Sequence, residues 1–345
     1  MNTPVSLAVM GAGLIGRRHA MHVAASPDAR LLCVIDPTPA GQAVAQEHGA
    51  RWVPDLAAAL AQGLRPEGVI VATPNQVHMQ NGLDCIAAGI PALVEKPLCD
   101  DLADAGRLVD AAEAAGVALL TGHHRRHNLL MQKAREIIAT GRIGTPVVAH
   151  AMFWLFKPDD YFDIGWRREK GAGPVFLNLI HDVDNLRHLL GEVVAVTARE
   201  SNAIRGHAVE ETAVILLEFA SGLLATASVC DATVAPWSWE MTTGENPAYP
   251  RAEEHCYLIG GTHGSLALPG LELRTAQGLR SWYSPFDLSR PGVANEDPLS
   301  RQVSQFARVI RGQEPPLVSG RDGLETLRVI DAVKRSAAGG GRITL

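Results

Sequence analysis

The sequence is poor in charged and aromatic residues. Of its 345 residues, 20% are charged and 5% are aromatic, whereas 47% are hydrophobic. This balance excludes a disordered or collagen-like chain and predicts a folded globular protein. The net charge of -6 provides no basic surface for nucleic acid. We therefore expect a small-molecule partner and no nucleic acid.

Paired cysteines and long apolar runs are also missing. The five cysteines are scattered without CxxC spacing, which argues against a disulfide framework and against a zinc site. The apolar run near the N-terminus follows no basic segment and is far shorter than a membrane span. We therefore expect a cytoplasmic protein with no membrane association.

The pattern of apolar residues changes about one third of the way along the chain. Up to residue 123, short continuous apolar runs alternate with helix-like stretches, as in a parallel sheet buried on both faces. Beyond it, strand-like segments separated by hairpin turns surround one helix over residues 175–190. We predict an α/β domain in 1–123 and an α+β domain with a mostly antiparallel sheet in 124–345. The final helices are expected to pack back on the first domain, before a loose glycine tail.

A glycine motif follows the first predicted strand and opens a helix. In GxGxxG, glycine allows a tight turn and lets a pyrophosphate approach the backbone. Asp36 ends the second strand, where a carboxylate accepts hydrogen bonds from ribose hydroxyls and repels a 2′-phosphate, and no lysine or arginine lies between Asp36 and Arg51. The sequence thus predicts a Rossmann domain that binds NAD rather than NADP. The expected contacts are Gly11, Gly13, Leu14, Ile15, Gly16 and Asp36.

Two more loops follow predicted strands, beginning at Thr73 and at Glu95. Loops at the carboxyl ends of parallel strands line the ligand crevice of such folds. A lysine beside a positively charged nicotinamide has its ammonium form disfavoured, which suits proton exchange with a substrate hydroxyl. The further residues expected at the cofactor are Thr73, Pro74, Asn75, His78, Glu95 and Lys96.

Taken together, these segments resemble the Gfo/Idh/MocA oxidoreductases. The resemblance rests on GxGxxG with His19 on its helix, TPNxxH, EKP and the later glycine-rich segment that leads to His181, and it spans nearly the whole chain. It implies that Lys96 is catalytic, often with a cis bond to the proline, and that His181 is the family histidine. Leu177 departs from the family aspartate. Asn178 lies roughly on the same helix face and offers hydrogen bonds, but it cannot accept a proton as a carboxylate does.

Other candidates are less specific. Three histidines lie within residues 123–127, but their spacing is unlike HExxH, so we expect no metal and take Arg126 as a substrate or cofactor contact. Trp166, Arg167 and Trp237 are candidate substrate contacts, because aromatic walls suit the apolar faces of a sugar ring. On an extended strand Trp237 and Trp239 share one face. The alternative is an aromatic core or a subunit contact.

These observations predict an NAD-dependent oxidoreductase. It transfers a hydride reversibly to or from a secondary hydroxyl of a sugar, cyclitol or related polyol, with Lys96 as acid/base, His181 holding or relaying the proton and Asn178 fixing the ring. One alternative is an NAD-using glycoside hydrolase. Another is a non-catalytic NAD-binding sensor, which the presence of Lys96 disfavours. The resemblance also implies a homodimer or homotetramer.

Overall fold

The computed structural model describes residues 3–345, which divide into two compact units. The first unit comprises residues 3–128 and 296–327, and the second comprises residues 129–295 and 328–345. The chain thus returns to the first unit near its end and then ends in the second. No helix within the described range combines the length and the apolar character needed to cross a membrane.

The first unit contains a six-stranded parallel sheet with the order β3-β2-β1-β4-β5-β6. Every residue of β1, β4 and β5 is buried, as expected where helices cover both faces of a parallel sheet. The predicted Rossmann architecture is therefore confirmed. The strands are β1 (Val5–Met10), β2 (Ala29–Ile35), β3 (Arg51–Val53), β4 (Gly68–Val71), β5 (Ala92–Val94) and β6 (Leu119–Thr121). The helices between them are α1 (Leu14–Ala25), α2 (Pro39–Glu47), α3 (Leu56–Ala61), α4 (His78–Ala87) and α5 (Leu102–Ala115).

The turn from β1 into α1 depends on glycine at two positions. Gly11 has a φ of +95°, and a Cβ there would lie 2.5 Å from the carbonyl oxygen of Ala72. A Cβ at Gly16 would lie 2.0 Å from the carbonyl oxygen of Gly11. The strand order reverses between β1 and β4, and this switch point is where ligands bind in open α/β sheets.

The second unit contains a nine-stranded sheet with the order β14-β13-β12-β11-β7-β10-β9-β8-β15, in which only the β7–β10 pair is parallel. The mostly antiparallel sheet is thus confirmed. Its strands are β7 (Pro146–Trp154), β8 (Val193–Ser201), β9 (Thr212–Phe219), β10 (Leu224–Cys230), β11 (Tyr257–Gly261), β12 (Gly264–Leu268), β13 (Glu272–Ala276), β14 (Phe286–Ser289) and β15 (Ile343–Thr344). The remaining α-helices are α6 (Leu129–Ala139), α7 (Ile180–Leu190), α8 (Trp239–Thr243), α9 (Pro298–Ile310) and α10 (Gly320–Gly339). Of these, α9 and the part of α10 up to Leu327 belong to the first unit.

One face of the second sheet packs on α7. All eleven residues of this helix are buried, and its apolar residues join those of the sheet in one core. Along β9 and β10 buried residues alternate with more exposed ones, so the opposite face is open. This arrangement fixes α7, and the segment before it, firmly against the sheet.

Three local predictions were wrong. Helix α7 is preceded by a π-helical turn, Val175–Leu179, so the segment is not one regular helix. Trp239 does not continue an extended strand from Trp237, because the Ser238 side chain caps α8 and Trp239 begins that helix. The glycine tail is not loose, since Ile343 and Thr344 pair with β8. The strands after residue 230 were not predicted, because they are short and interrupted by glycine.

Substituting Gly16 with alanine tests the packing of α1 on the sheet. The new methyl group would collide with the Gly11 carbonyl, so the thermal midpoint should fall by an amount equivalent to roughly 1–3 kcal/mol. Gly13→Ala is the matched control, because its Cβ meets nothing within 4 Å, and it should cost about 0.5–1 kcal/mol through the loss of a favourable N-cap residue. Equal midpoints for the two variants in differential scanning calorimetry would contradict this packing.

Candidate active site

The N-terminus of α1 is open to a ligand. Gly13 has no Cβ to obstruct it, no side chain caps the first turn, and Leu14 is 86% exposed with Ile15 half-buried behind it. Uncapped N–H groups and the helix dipole favour an anion at such a terminus. The turn therefore fits the pyrophosphate of a dinucleotide.

Asp36, which follows β2, is hydrogen-bonded to the same glycine turn. Its carboxylate accepts hydrogen bonds from the backbone N–H groups of Ala12 and Thr38, each at 2.8 Å. Asp36 is half-buried, so its charge is held beside the glycine turn and remains accessible. This position fits ribose hydroxyls, which donate to a carboxylate, and disfavours a 2′-phosphate.

His78 connects the loops that follow β4 and β5. It is fully buried, with Nδ1 2.9 Å from the carbonyl oxygen of Pro97 and Nε2 2.8 Å from that of Thr73. Pro74 is exposed and Asn75 is half-buried, so these two residues form the surface of the β4 loop. His78 is therefore buried beneath this loop, where its hydrogen bonds hold the backbone that carries the other predicted contacts.

Glu95 and Lys96 follow β5, next to a buried histidine. The Nε2 atom of His19, on α1, lies 2.7 Å from Glu95 Oε1, and both side chains are buried. The peptide bond between Lys96 and Pro97 is cis. A Cβ at Gly122 would lie 2.8 Å from the Glu95 carboxyl carbon, so the chain packs closely against this carboxylate.

The environment of Glu95 keeps it ionised. Burial raises the pKa of this carboxyl, but the hydrogen bond from His19 and the positive charges of His19, His124 and Lys96 outweigh burial and lower the pKa to about 2. Glu95 is therefore a carboxylate at neutral pH. Lys96, half-buried beside it, lies in a site of fixed negative charge.

Arg126 is less accessible than its predicted role as a contact residue suggests. It is 5% exposed, and its guanidinium lies 3.2 Å from Oδ1 of Asp322. The other carboxylate oxygen of Asp322 accepts hydrogen bonds from Ser319. His123 and His127 are buried in the same turn. Among residues 3–345, no three His, Cys, Asp or Glu side chains are grouped so as to hold a metal ion.

In the second unit, Asn178 lies in the π-helical turn and His181 in the first turn of α7. His181 is 7% exposed, whereas Leu177 and Asn178 are half-buried. Single π-helical turns of this kind occur frequently at functional sites, because the wider turn changes the direction of side chains. The structure thus places Asn178 and His181 on successive turns.

A lysine that the sequence interpretation missed contacts Asn178. The ammonium of Lys157 donates to Asn178 Oδ1 at 2.9 Å and pairs with Asp231 Oδ2 at 3.1 Å. Burial lowers the pKa of Lys157, while Asp231 opposes this effect. Arg205 pairs with the other oxygen of Asp231, at 2.5 Å. The available sequence signal was a lysine at the end of an apolar strand, the same context as that of Lys96.

The aromatic candidates have different environments. Trp237 packs edge-on against Trp154, with 5.7 Å between the ring centroids, whereas Trp239 is 1% exposed and belongs to the core. Trp166 is 56% exposed, and the guanidinium of Arg167 lies 4.0 Å from the centroid of the Tyr161 ring. Trp166, Arg167 and Trp237 therefore remain predicted contacts, and Trp239 is structural.

A buried carboxylate fixes the start of the π-helical turn. Glu210 Oε1 accepts a hydrogen bond from the Val175 backbone at 3.0 Å, and Glu210 Oε2 pairs with Lys334 at 2.6 Å. Gly173 is required here, since a Cβ would lie 2.1 Å from Glu210 Oε1. Glu200 holds Lys334 from the other side at 2.8 Å. This network positions the segment that carries Asn178.

The depressed pKa of Glu95 predicts an acid-sensitive fold. Since the folded-state value is about 2 and the ordinary value is 4.5, its stabilising contribution is complete above about pH 4.5 and is lost as pH falls toward 2. His19→Leu removes the donor and the charge, whereas His19→Gln keeps a donor. Acid unfolding, followed by circular dichroism, should begin at the highest pH in His19→Leu and at an intermediate pH in His19→Gln. Identical acid midpoints in all three proteins would contradict this role.

Known proteins share both units of the chain. Residues 5–123 match the model of an oxidoreductase family with an NAD-binding Rossmann fold, and residues 131–267 match the GFO/IDH/MocA C-terminal domain. The 1,5-anhydro-D-fructose reductase of Ensifer adhaerens is 29% identical over 279 residues, 79% of this chain and 78% of that protein. The myo-inositol 2-dehydrogenase of Thermotoga maritima is 26% identical over 96% of this chain and 95% of its own.

A solved structure agrees along the whole chain. The WlbA dehydrogenase of Bordetella pertussis, crystallised with NADH and UDP-GlcNAcA, has a TM-score of 0.80 at 27% identity and covers 99% of both chains. The two family models match consecutive segments in the order that the two domains require. The chain therefore belongs to the Gfo/Idh/MocA family of NAD-binding oxidoreductases.

Proposed function

We propose that this protein catalyses reversible, NAD-dependent oxidation of a secondary hydroxyl on a sugar, cyclitol or related polyol. The observation that carries the proposal is Lys96 at the carboxyl end of β5, on the same sheet edge as the glycine turn after β1. The relatives named above, an anhydrofructose reductase and a myo-inositol dehydrogenase, bear names of polyhydroxylated substrates. When bound, NAD supplies the hydride acceptor at C4 of its nicotinamide.

Lys96 acts as the general acid/base in this proposal. Oxidation of an alcohol releases the hydroxyl proton, which a neutral amine within hydrogen-bond reach accepts and which the resulting ammonium returns in the reverse reaction. Glu95 is a fixed carboxylate because His19 holds it ionised, so it orients this loop without exchanging protons near neutral pH. The proton therefore moves between the substrate oxygen and Lys96 Nζ.

The second unit contributes positioning groups. His181 holds or relays the substrate proton, and Asn178 fixes the ring through a hydrogen bond, since an amide does not take up the proton. We assign three residues as substrate contacts because their side chains are at least partly exposed: Trp166, Arg167 and Trp237. Arg126, the predicted substrate or cofactor contact, is 5% exposed and pairs with Asp322.

Lys96→Met tests the catalytic assignment. The variant keeps the length of the side chain but cannot carry a proton, so turnover should fall by about 10²–10⁴ while NAD binding persists. The measurement is NADH absorbance with a panel of sugars, cyclitols and hydroxy acids. Lys133→Met is the control, because Lys133 forms only a local pair with Glu136 on α6.

The outcomes separate the rival functions. Wild-type turnover in Lys96→Met would contradict the assignment of Lys96. Tight NAD binding without NADH formation from any compound in the panel would contradict the proposed reaction and favour the hydrolase or the sensor. Release of an alcohol from glycosides without net NADH would then distinguish the hydrolase.

We further propose that the protein forms a homodimer, or a homotetramer built from that dimer, through the open face of the second sheet. Apolar side chains on this face are exposed, and two of them, Val214 and Leu216, line a concavity of about 520 Å³. The exposed apolar residues are Val148, Val214, Leu216, Leu224 and Leu258. A twofold axis brings the same patch of two subunits together, so one apolar face is sufficient for a closed dimer.

Val214→Glu tests this interface. Val214 is 55% exposed in the middle of the face, and two carboxylates brought together by a twofold axis should dissociate the dimer into monomers. Leu279→Glu is the control, because Leu279 is 82% exposed in the loop between β13 and β14. The molar mass is measured by light scattering. A dimer that persists in Val214→Glu, or a wild-type monomer, would contradict the proposal.

A further inference from the structure

Trp52 is the only tryptophan of the first unit, and it is hydrogen-bonded to Asp36. It belongs to β3, where it pairs in register with Val34 of β2, two residues before Asp36. Its indole N–H donates to the backbone carbonyl oxygen of Asp36 at 2.8 Å. The strand pairing and this hydrogen bond together fix the indole at the carboxyl end of β2.

The indole also lies beside the side chain of Asp36. A Cβ built at Gly41, in the first turn of α2, would lie 3.1 Å from Trp52 Nε1 and 3.2 Å from the Asp36 carboxyl carbon, so both groups border the same point. The same carboxylate accepts the hydrogen bond from the Ala12 N–H. The tryptophan, the carboxylate and the glycine turn therefore form one corner of the first unit.

Trp52 remains 39% exposed in spite of this packing. In the described part of the first unit, the other exposed large apolar side chains are Leu14, Met21 and Val77. Leu14 begins α1 at the glycine turn and Val77 follows β4, so three of the four lie at the carboxyl edge of the sheet, where ligands of such sheets bind. Exposed apolar side chains grouped at this edge are typical of a ligand-binding groove.

The chemistry of the indole limits what Trp52 can bind. An indole has one N–H donor and no acceptor, and the carbonyl oxygen of Asp36 already takes that donor. What remains is flat ring surface, which stacks on the face of an aromatic base and offers no hydrogen bond to a phosphate. A ribose whose hydroxyls bind the Asp36 carboxylate carries its adenine one sugar ring away, within reach of this surface.

We propose, on the basis of the cofactor site in the proposed function, that Trp52 is a further cofactor-binding residue whose ring packs against the adenosine half of NAD. Asp36 then holds the ribose and Trp52 the adenine, while the N-terminus of α1 takes the pyrophosphate. The nicotinamide half does not touch Trp52. Loss of the indole therefore weakens every ligand that carries adenosine and none that lacks it.

Fragments of the cofactor test the proposal. ADP-ribose carries adenosine without nicotinamide, and reduced nicotinamide mononucleotide carries nicotinamide without adenosine. In calorimetric titrations, Trp52→Ala should bind ADP-ribose about tenfold to a hundredfold more weakly than the wild type and should bind the mononucleotide equally well. Trp52→Phe keeps an aromatic ring without the N–H, so its affinity for ADP-ribose should stay within about threefold of the wild type. Unchanged affinity for ADP-ribose in Trp52→Ala, equal losses for both fragments, or equal losses in both variants would overturn the proposal.

Tryptophan emission provides a second test that does not depend on the alanine variant. A base stacked on an indole quenches its emission, so saturating ADP-ribose should lower the emission of the wild type. Trp52→Phe should remove this quenching, whereas Trp282→Phe, at a side chain of the second unit that is 89% exposed, should keep it. Absence of quenching in the wild type, or quenching that persists in Trp52→Phe, would contradict the contact. Because both tests measure binding, a failure to form NADH would count against the proposed reaction alone.

Discussion

The buried hydrogen bond between His19 and Glu95 connects the two segments on which the cofactor site of the first unit depends. Helix α1 starts from the glycine turn, and Glu95 immediately precedes Lys96, so a contact of 2.7 Å sets the distance between the turn and the lysine. A buried carboxylate without a partner would take up a proton or destabilise the fold by several kcal/mol. His19 therefore secures both the charge of Glu95 and the geometry of the loop.

The second unit also contains a buried carboxylate that holds a functional segment in place. Glu210 is buried, accepts a hydrogen bond from the start of the π-helical turn and is neutralised by Lys334. The turn itself carries Asn178, and α7 behind it is buried along its whole length. In each unit, a buried carboxylate fixed by a cationic partner holds the backbone from which a proposed functional side chain projects.

The sequence predicted best where the signals were local. The glycine turn, Asp36 and the strand ends before Thr73 and Lys96 each depend on neighbouring residues, so strand, turn and helix could be assigned together. The contact between Lys157 and Asn178 joins residues 21 positions apart through a π-helical turn, and periodicity does not predict a turn of that kind. Glu210 and Lys334, 124 positions apart, meet only because the segment before β9 and the later part of α10 belong to one unit.

A comparison of the two lysines explains why proton transfer is assigned to one of them. Both follow an apolar strand and both lie beside a carboxylate, Glu95 or Asp231. Lys157 forms an ion pair with Asp231 and also donates to Asn178, so loss of its proton would remove the charge that pairs with the buried Asp231 carboxylate. Glu95 is already held by His19 and by the Lys96 backbone N–H, at 3.2 Å. The hydrogen bond from His19 thus stabilises the Glu95 carboxylate in addition to the charge of Lys96, so that stabilisation does not rest on Lys96 alone.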